Sequence, residues 1–173
     1  MSIGLMLIDW QERLFPAMPE RIRTHSLRQV CTLHWYAKEV GMPIFVSEQY
    51  PKGLGNTFPQ IGVEGAIPKL HFSALKEEAF AATFKQHQTE RVILTGMETH
   101  ICVLQTGLDL LKLGCEVQVV VDAVLSRRKL DWKTGLKQLE RAGAELVTTE
   151  GVLFEHLEKA GGELFKEVSR KIR

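Results

Sequence analysis

The chain has 173 residues, 45% of them hydrophobic and 25% charged, a length and balance that favour one domain, residues 1–173, with a sizeable buried core. Lys and Arg number 22 against 21 Asp and Glu, so charge makes no case for nucleic-acid or membrane binding. No apolar run approaches the roughly 20 residues that span a bilayer, and Cys31, Cys102 and Cys115 show no CxxC spacing and cannot all pair, which fits reduced thiols in a cytoplasmic protein.

The first nine residues are apolar but lack a basic segment and a small-residue cleavage site, so they predict an opening strand over 3–8 and not a signal peptide. An amphipathic helix follows over 19–40, with Ile22, Leu27, Val30, Leu33 and Ala37 near one face and Gly41 as its stop. Short apolar runs at 43–46, 91–94, 117–121 and 145–148 predict four further strands. Their near-continuous apolarity is that of strands covered on both faces. Helical spacing recurs over 74–86, 99–113, 132–142, 150–159 and 163–171. Alternation of this kind predicts an α/β fold, a three-layer α/β/α sandwich around a mainly parallel open sheet. Residues 49–70, with three prolines and no period, stand out as a long loop of the sort that is more often functional than idle. The basic run Ser126-Arg127-Arg128-Lys129 is expected to be a solvated loop or helix start.

Ligands of an open α/β sheet bind at the carboxyl ends of its strands. That rule selects Asp9, the Glu48-Gln49-Tyr50 segment, the stretch from Gly96 to Cys102, and Asp122 as the end of the fourth predicted strand. A helix starting near Thr99 would put Cys102 in its first turn, where unpaired amides and the positive dipole end lower a thiol pKa. On spacing alone the commoner reading of such a cysteine, a small buried apolar residue, stands beside the nucleophile. Asp9 ends an apolar strand, where a carboxylate must be paired or functional, or else caps the following turn. Lys69, after Pro68, could be catalytic or could simply reach solvent. The six histidines show neither HxH nor HExxH spacing, so no zinc site is expected. The chain also has neither GxGxxG after its first strand nor GxxxxGK[ST], which weighs against a nucleotide-binding domain.

Taken in order, Asp9 with Gln11, Lys69 after the long loop, and Gly96-Met97-Glu98-Thr99-His100-Ile101-Cys102-Val103 resemble the isochorismatase-like hydrolases over nearly the whole chain. Ser47 to Gly55, Val120-Val121-Asp122-Ala123 and Ser126-Arg127 are most similar to the isochorismatase domain-containing proteins. The resemblance implies a catalytic trio of Cys102 as nucleophile, Asp9 as proton acceptor and Lys69 as the cation beside them. It also implies a non-proline cis peptide at Met97–Glu98, backbone oxyanion donors at Cys102 and near Glu98, and a homo-oligomer. Gln11, Tyr50, Leu54, Phe72 and His100 are the expected pocket residues for a small-molecule substrate. Nicotinamidases of this family carry an Asp-x-His metal motif where this chain has Glu48-Gln49-Tyr50, so no metal and no cofactor is expected. The implied activity is hydrolysis of an amide or carbamoyl C–N bond through a Cys102 thioester. The alternative is a catalytically silent binding or scaffold protein that keeps the fold.

Overall fold

A computed structural model describes residues 2–173. Six strands form one sheet: β1 (Ile3–Ile8), β2 (Ile44–Gln49), β3 (Ile67–Lys69), β4 (Arg91–Met97), β5 (Glu116–Leu125) and β6 (Glu145–Val147). Their spatial order is β3-β2-β1-β4-β5-β6, and every neighbouring pair is parallel. The helices are α1 (Glu20–Glu39), the short α2 (Pro51–Leu54), α3 (Glu78–Gln86), α4 (Leu104–Lys112), α5 (Lys129–Arg141), α6 (Thr149–Leu157) and α7 (Gly162–Lys171).

Alternate residues of each strand feed two separate cores, as the period-2 geometry of a strand requires. Leu5 and Leu7 pack with Val30 and Leu33 of α1, Leu153 of α6 and Val168 of α7. Met6 and Ile8 pack with Phe80 of α3, Leu110 of α4 and Leu139 of α5. The result is the expected α/β/α sandwich, and no helix among the described residues is long and apolar enough to cross a membrane.

β3 lies inside the segment predicted to be structureless. It has three residues, holds Pro68, and pairs with β2 alone, so only an edge position can accommodate it. β5 runs to Leu125, which moves Asp122 from a strand end into the strand, where its carboxylate accepts from the Thr149 amide and hydroxyl at 2.9 and 3.0 Å. The helix predicted from Thr99 starts instead as a π-helical turn, Thr99–Val103, and continues as α4.

The strand order reverses direction between β1 and β4, and the crevice beyond their carboxyl ends is where such a sheet binds ligands. The two strands touch closely there. A Cβ on Gly96 would fall 2.3 Å from Ile8 O, and its φ of 139° is one that glycine takes freely.

Candidate active site

The chain leaves β1 through Asp9 at φ 53°, a left-handed conformation that Asp tolerates better than most residues. The Asp9 carboxylate is fully buried and caps no turn. Oδ1 accepts from Ser47 Oγ at 2.7 Å, Ser47 being the β2 neighbour of Ile8. Oδ2 lies 2.9 Å from Lys69 Nζ, both side chains sealed from solvent.

Lys69 ends β3 directly opposite Gln49, the last residue of β2. Its ammonium carries three protons and meets three oxygen acceptors besides Asp9: Gln49 Oε1 at 2.5 Å, Phe72 O at 2.9 Å and His71 O at 3.1 Å. Asp9 thus shares the ammonium with three other oxygens and feels Lys69 mainly as a charge. The thiol of Cys102 is the remaining donor within its reach.

Cys102 occupies the π-helical turn after β4, 6% exposed, with Sγ 3.8 Å from Gln49 Oε1. The turn is widened because Glu98 O accepts from the Ile101 and Val103 amides, on either side of Cys102. Such π-turns are rare and frequently sit at functional sites. α5 closes over the turn through Gly135, where a Cβ would come within 2.9 Å of His100 Cα. The Met97–Glu98 peptide is cis.

The expected lowering of the thiol pKa is overturned. Burial pushes the Cys102 thiol up to about 12, the negative charge of Asp9 adds to the rise, and Lys69 offsets only part of it. Burial likewise holds the Asp9 carboxyl above the usual carboxylate range, against the pull of Lys69, Ser47 and the thiol itself. A sealed site penalises every net charge it holds, so Cys102 rests as a thiol beside a carboxylate whose raised pKa makes it the better base.

Of the expected pocket residues, Tyr50 lines a depression of about 490 Å³ beside Lys69, together with Pro51, Lys52, Pro68, Leu70 and Glu77. Phe72 is exposed and contributes its carbonyl to Lys69. Leu54 is half-buried on α2, its amide bonded to Tyr50 O. Gln11 does not face a pocket. It is fully buried, and its side-chain amide is committed to backbone: Oε1 accepts from Gln49 N at 2.8 Å, while Nε2 donates to Gln49 O at 2.9 Å and Gly55 O at 2.8 Å. His100 turns to Ser126 Oγ at 3.0 Å and lies 4.0 Å from Asp131 Oδ2, on the α5 side. Glu98 is anchored by the Arg127 amide and guanidinium at 3.0 and 3.1 Å. Ser47 is the participant that sequence reasoning passed over. A polar residue following three apolar ones in a strand was the available signal.

The residues at the nicotinamidase metal position do not fit a metal. Glu48 Oε1 accepts from the amide and hydroxyl of Thr57 at 2.6 and 2.8 Å, and His71 Nδ1 pairs with Glu77 at 2.8 Å. Among the described residues no three His, Cys, Asp or Glu side chains converge on one point.

The Isochorismatase domain model matches residues 4–151. The chain is 39% identical over 168 residues to isochorismatase domain-containing protein 1 of Salmo salar, covering 95% of this chain but only 59% of that protein's length. A solved structure, the MAR1 ribonuclease from Caenorhabditis elegans, superposes with a TM-score of 0.89 at 36% identity, covering 99% of this chain and 89% of its own. An octameric hydrolase of unknown specificity from Escherichia coli shares the fold, with a TM-score of 0.85 at 23% identity over 91% of this chain and 80% of its own. With the strand order above and a family model spanning most of its length, the chain belongs to the isochorismatase family.

Proposed function

We propose that the chain is an amidase-type cysteine hydrolase, cleaving a C–N bond of a small molecule through a thioester on Cys102. The observation that carries this reading is the sealed Asp9–Lys69 pair, 2.9 Å apart, with the buried Cys102 thiol within reach of the carboxylate. On substrate entry Asp9 Oδ2 takes the thiol proton as Sγ attacks the carbonyl carbon, and Lys69 balances the charge that remains. Backbone amides at Cys102 and near Glu98 receive the oxyanion. Asp9 returns its proton to the departing nitrogen, then takes one from the water that opens the thioester. None of these steps calls on a metal, in keeping with the poor fit of Glu48 and His71 to one.

The test is a screen of small amides and carbamoyl compounds with wild type, Cys102→Ala and Asp9→Asn. Turnover should fall by about a thousandfold in either variant and should survive a chelator. Retained turnover in Cys102→Ala removes the thioester mechanism, and loss on chelation with recovery on added zinc removes its metal-free character. RNA belongs in the same screen because one relative is described as a ribonuclease. Self-association is part of the reading, as one protein of this fold is an octamer. Light scattering should return a dimer or larger, and a strict monomer would overturn that part.

A further inference from the structure

Gln49 has no part in the catalytic scheme above, yet its amide oxygen stands between two of the groups in it. It is 2.5 Å from Lys69 Nζ and 3.8 Å from Cys102 Sγ. The amide cannot be turned round without loss, because its Nε2 donates to Leu70 O at 2.8 Å. The backbone beneath it is also held, since the Gln11 side chain bonds both its N–H and its carbonyl. A neutral oxygen acceptor is thus locked in place at the meeting point of the ammonium and the thiol.

We propose that Gln49 is a positioning residue for Cys102: its amide oxygen accepts one hydrogen bond from the Lys69 ammonium and one from the resting thiol. Two consequences follow. Gln49, His71 and Phe72 share the Lys69 ammonium with Asp9, so the thiol meets a carboxylate whose cation is partly drawn to other oxygens. An acceptor oxygen facing sulfur favours S–H over the thiolate, because the negative end of the amide dipole repels a negative sulfur. The site therefore keeps its nucleophile protonated until rotation about the Cβ–Sγ bond hands the proton to Asp9. The proposal deepens the hydrolase reading and rests on it for its meaning, though not for its test.

The test reads the thiol itself. Iodoacetamide modification of Cys102 is followed against pH by peptide mass spectrometry in wild type, Gln49→Glu and Gln49→Met, with Cys31 and Cys115 of the same chains as internal references. The thiolate is the reacting form, so below the thiol pKa the rate at a fixed pH follows that pKa directly. Gln49→Glu keeps the shape and adds a negative charge beside sulfur, and should slow Cys102 by about tenfold or more. Gln49→Met keeps the length and removes the acceptor, and should speed it several-fold. Opposite displacements, with Cys31 and Cys115 unmoved, support the role. Unchanged profiles, or displacement of both variants in one direction as simple loosening of the β2 end would give, overturn it. Failure of the hydrolase reading shows elsewhere, as turnover retained in Cys102→Ala, so the two outcomes cannot be confused. Should Gln49→Met fail to fold, the isosteric Gln49→Glu alone decides, since only slowing is compatible with the proposal.

Discussion

The sheet carries a polar cluster at each end, and only one of them is arranged to react. At the amino end, Arg91 bonds Glu116 at 2.7 Å and Glu155 at 2.8 Å, while Gln118 bridges Glu145 and Glu155 at 2.9 Å each. A cavity of about 460 Å³ adjoins them, lined also by His156, which hydrogen-bonds the Tyr36 hydroxyl at 2.7 Å. Every strong donor there has a matching acceptor, and the carboxylates of Glu116 and Glu155 are about half exposed, 53% and 48%. At the carboxyl end the pair is wholly sealed, the cation is shared between Asp9 and three neutral oxygens, and the carboxylate has a buried thiol within reach. Cavity volume does not separate the two ends, about 460 Å³ at the amino end against about 490 Å³ beside Lys69. What separates the two is a charged pair sealed from solvent beside a thiol, a dry place where electrostatic terms are large.

The sharpest way to break this contrast is to remove the cation from each end. Lys69→Met leaves Asp9 buried and uncompensated and should cost about 3–5 kcal/mol of stability near neutral pH. Arg91→Met, at a solvent-screened network, should cost no more than about 1 kcal/mol. Urea unfolding of both variants checks the difference, and equal losses would end the distinction. Burial already raises the Asp9 pKa in the folded chain, and loss of Lys69 raises it further. A folded pKa above the unfolded one means stability gained as the group is protonated, so the Lys69→Met deficit should shrink as pH falls.

A smaller effect should appear on the alkaline side. The Cys102 thiol is pushed from 9.0 to about 12 in the folded chain. Between those values the unfolded state has released a proton that the native state still holds, so stability from this group is full below 9.0 and is lost as pH climbs toward 12. Cys102→Ser has no group titrating there and should show a shallower alkaline slope in urea midpoints. Identical slopes would mean the thiol is not held protonated, and the resting state inferred above would be wrong.

These sites were legible to different depths in the sequence, for physical reasons. Strands β1, β4 and β5 announce themselves because both faces are buried, and their apolar runs place Asp9 and the Gly96–Cys102 stretch at strand ends by the sheet's own geometry. β3 does not, because a three-residue edge strand with a proline has no periodicity to show. Register is equally silent. Nothing in the sequence says that Ser47 lies beside Ile8 or that Gln49 faces Lys69, yet those pairings decide who hydrogen-bonds whom. The thiol pKa was misjudged for a related reason. Position at a helix start can be read from sequence, whereas the depth of burial that outweighs it depends on Gly135 letting α5 close over the turn.

The smallest expected effect concerns the clip that holds the Lys69 acceptors in place. Glu77 Oε1 accepts from the amides of Leu70 and His71 at 2.7 and 2.9 Å and from His71 Nδ1 at 2.8 Å. It thereby fixes the turn whose carbonyls, His71 O and Phe72 O, hold the ammonium. Those two backbone bonds are the main reason the Glu77 carboxyl is brought down to about 2. A depressed folded pKa contributes stability above the unfolded value of 4.5 and loses it as pH falls toward 2. Glu77→Gln keeps an acceptor oxygen but not the charge, so the neutral-pH loss should be slight and the acid slope between those values flatter than in wild type. Because the clip is partly open to solvent, raised salt should shrink the difference further. The sealed pair should keep its own: the Lys69→Met deficit at neutral pH should hardly respond to the same salt. If both variants respond alike, the two environments are not as different as their exposures suggest.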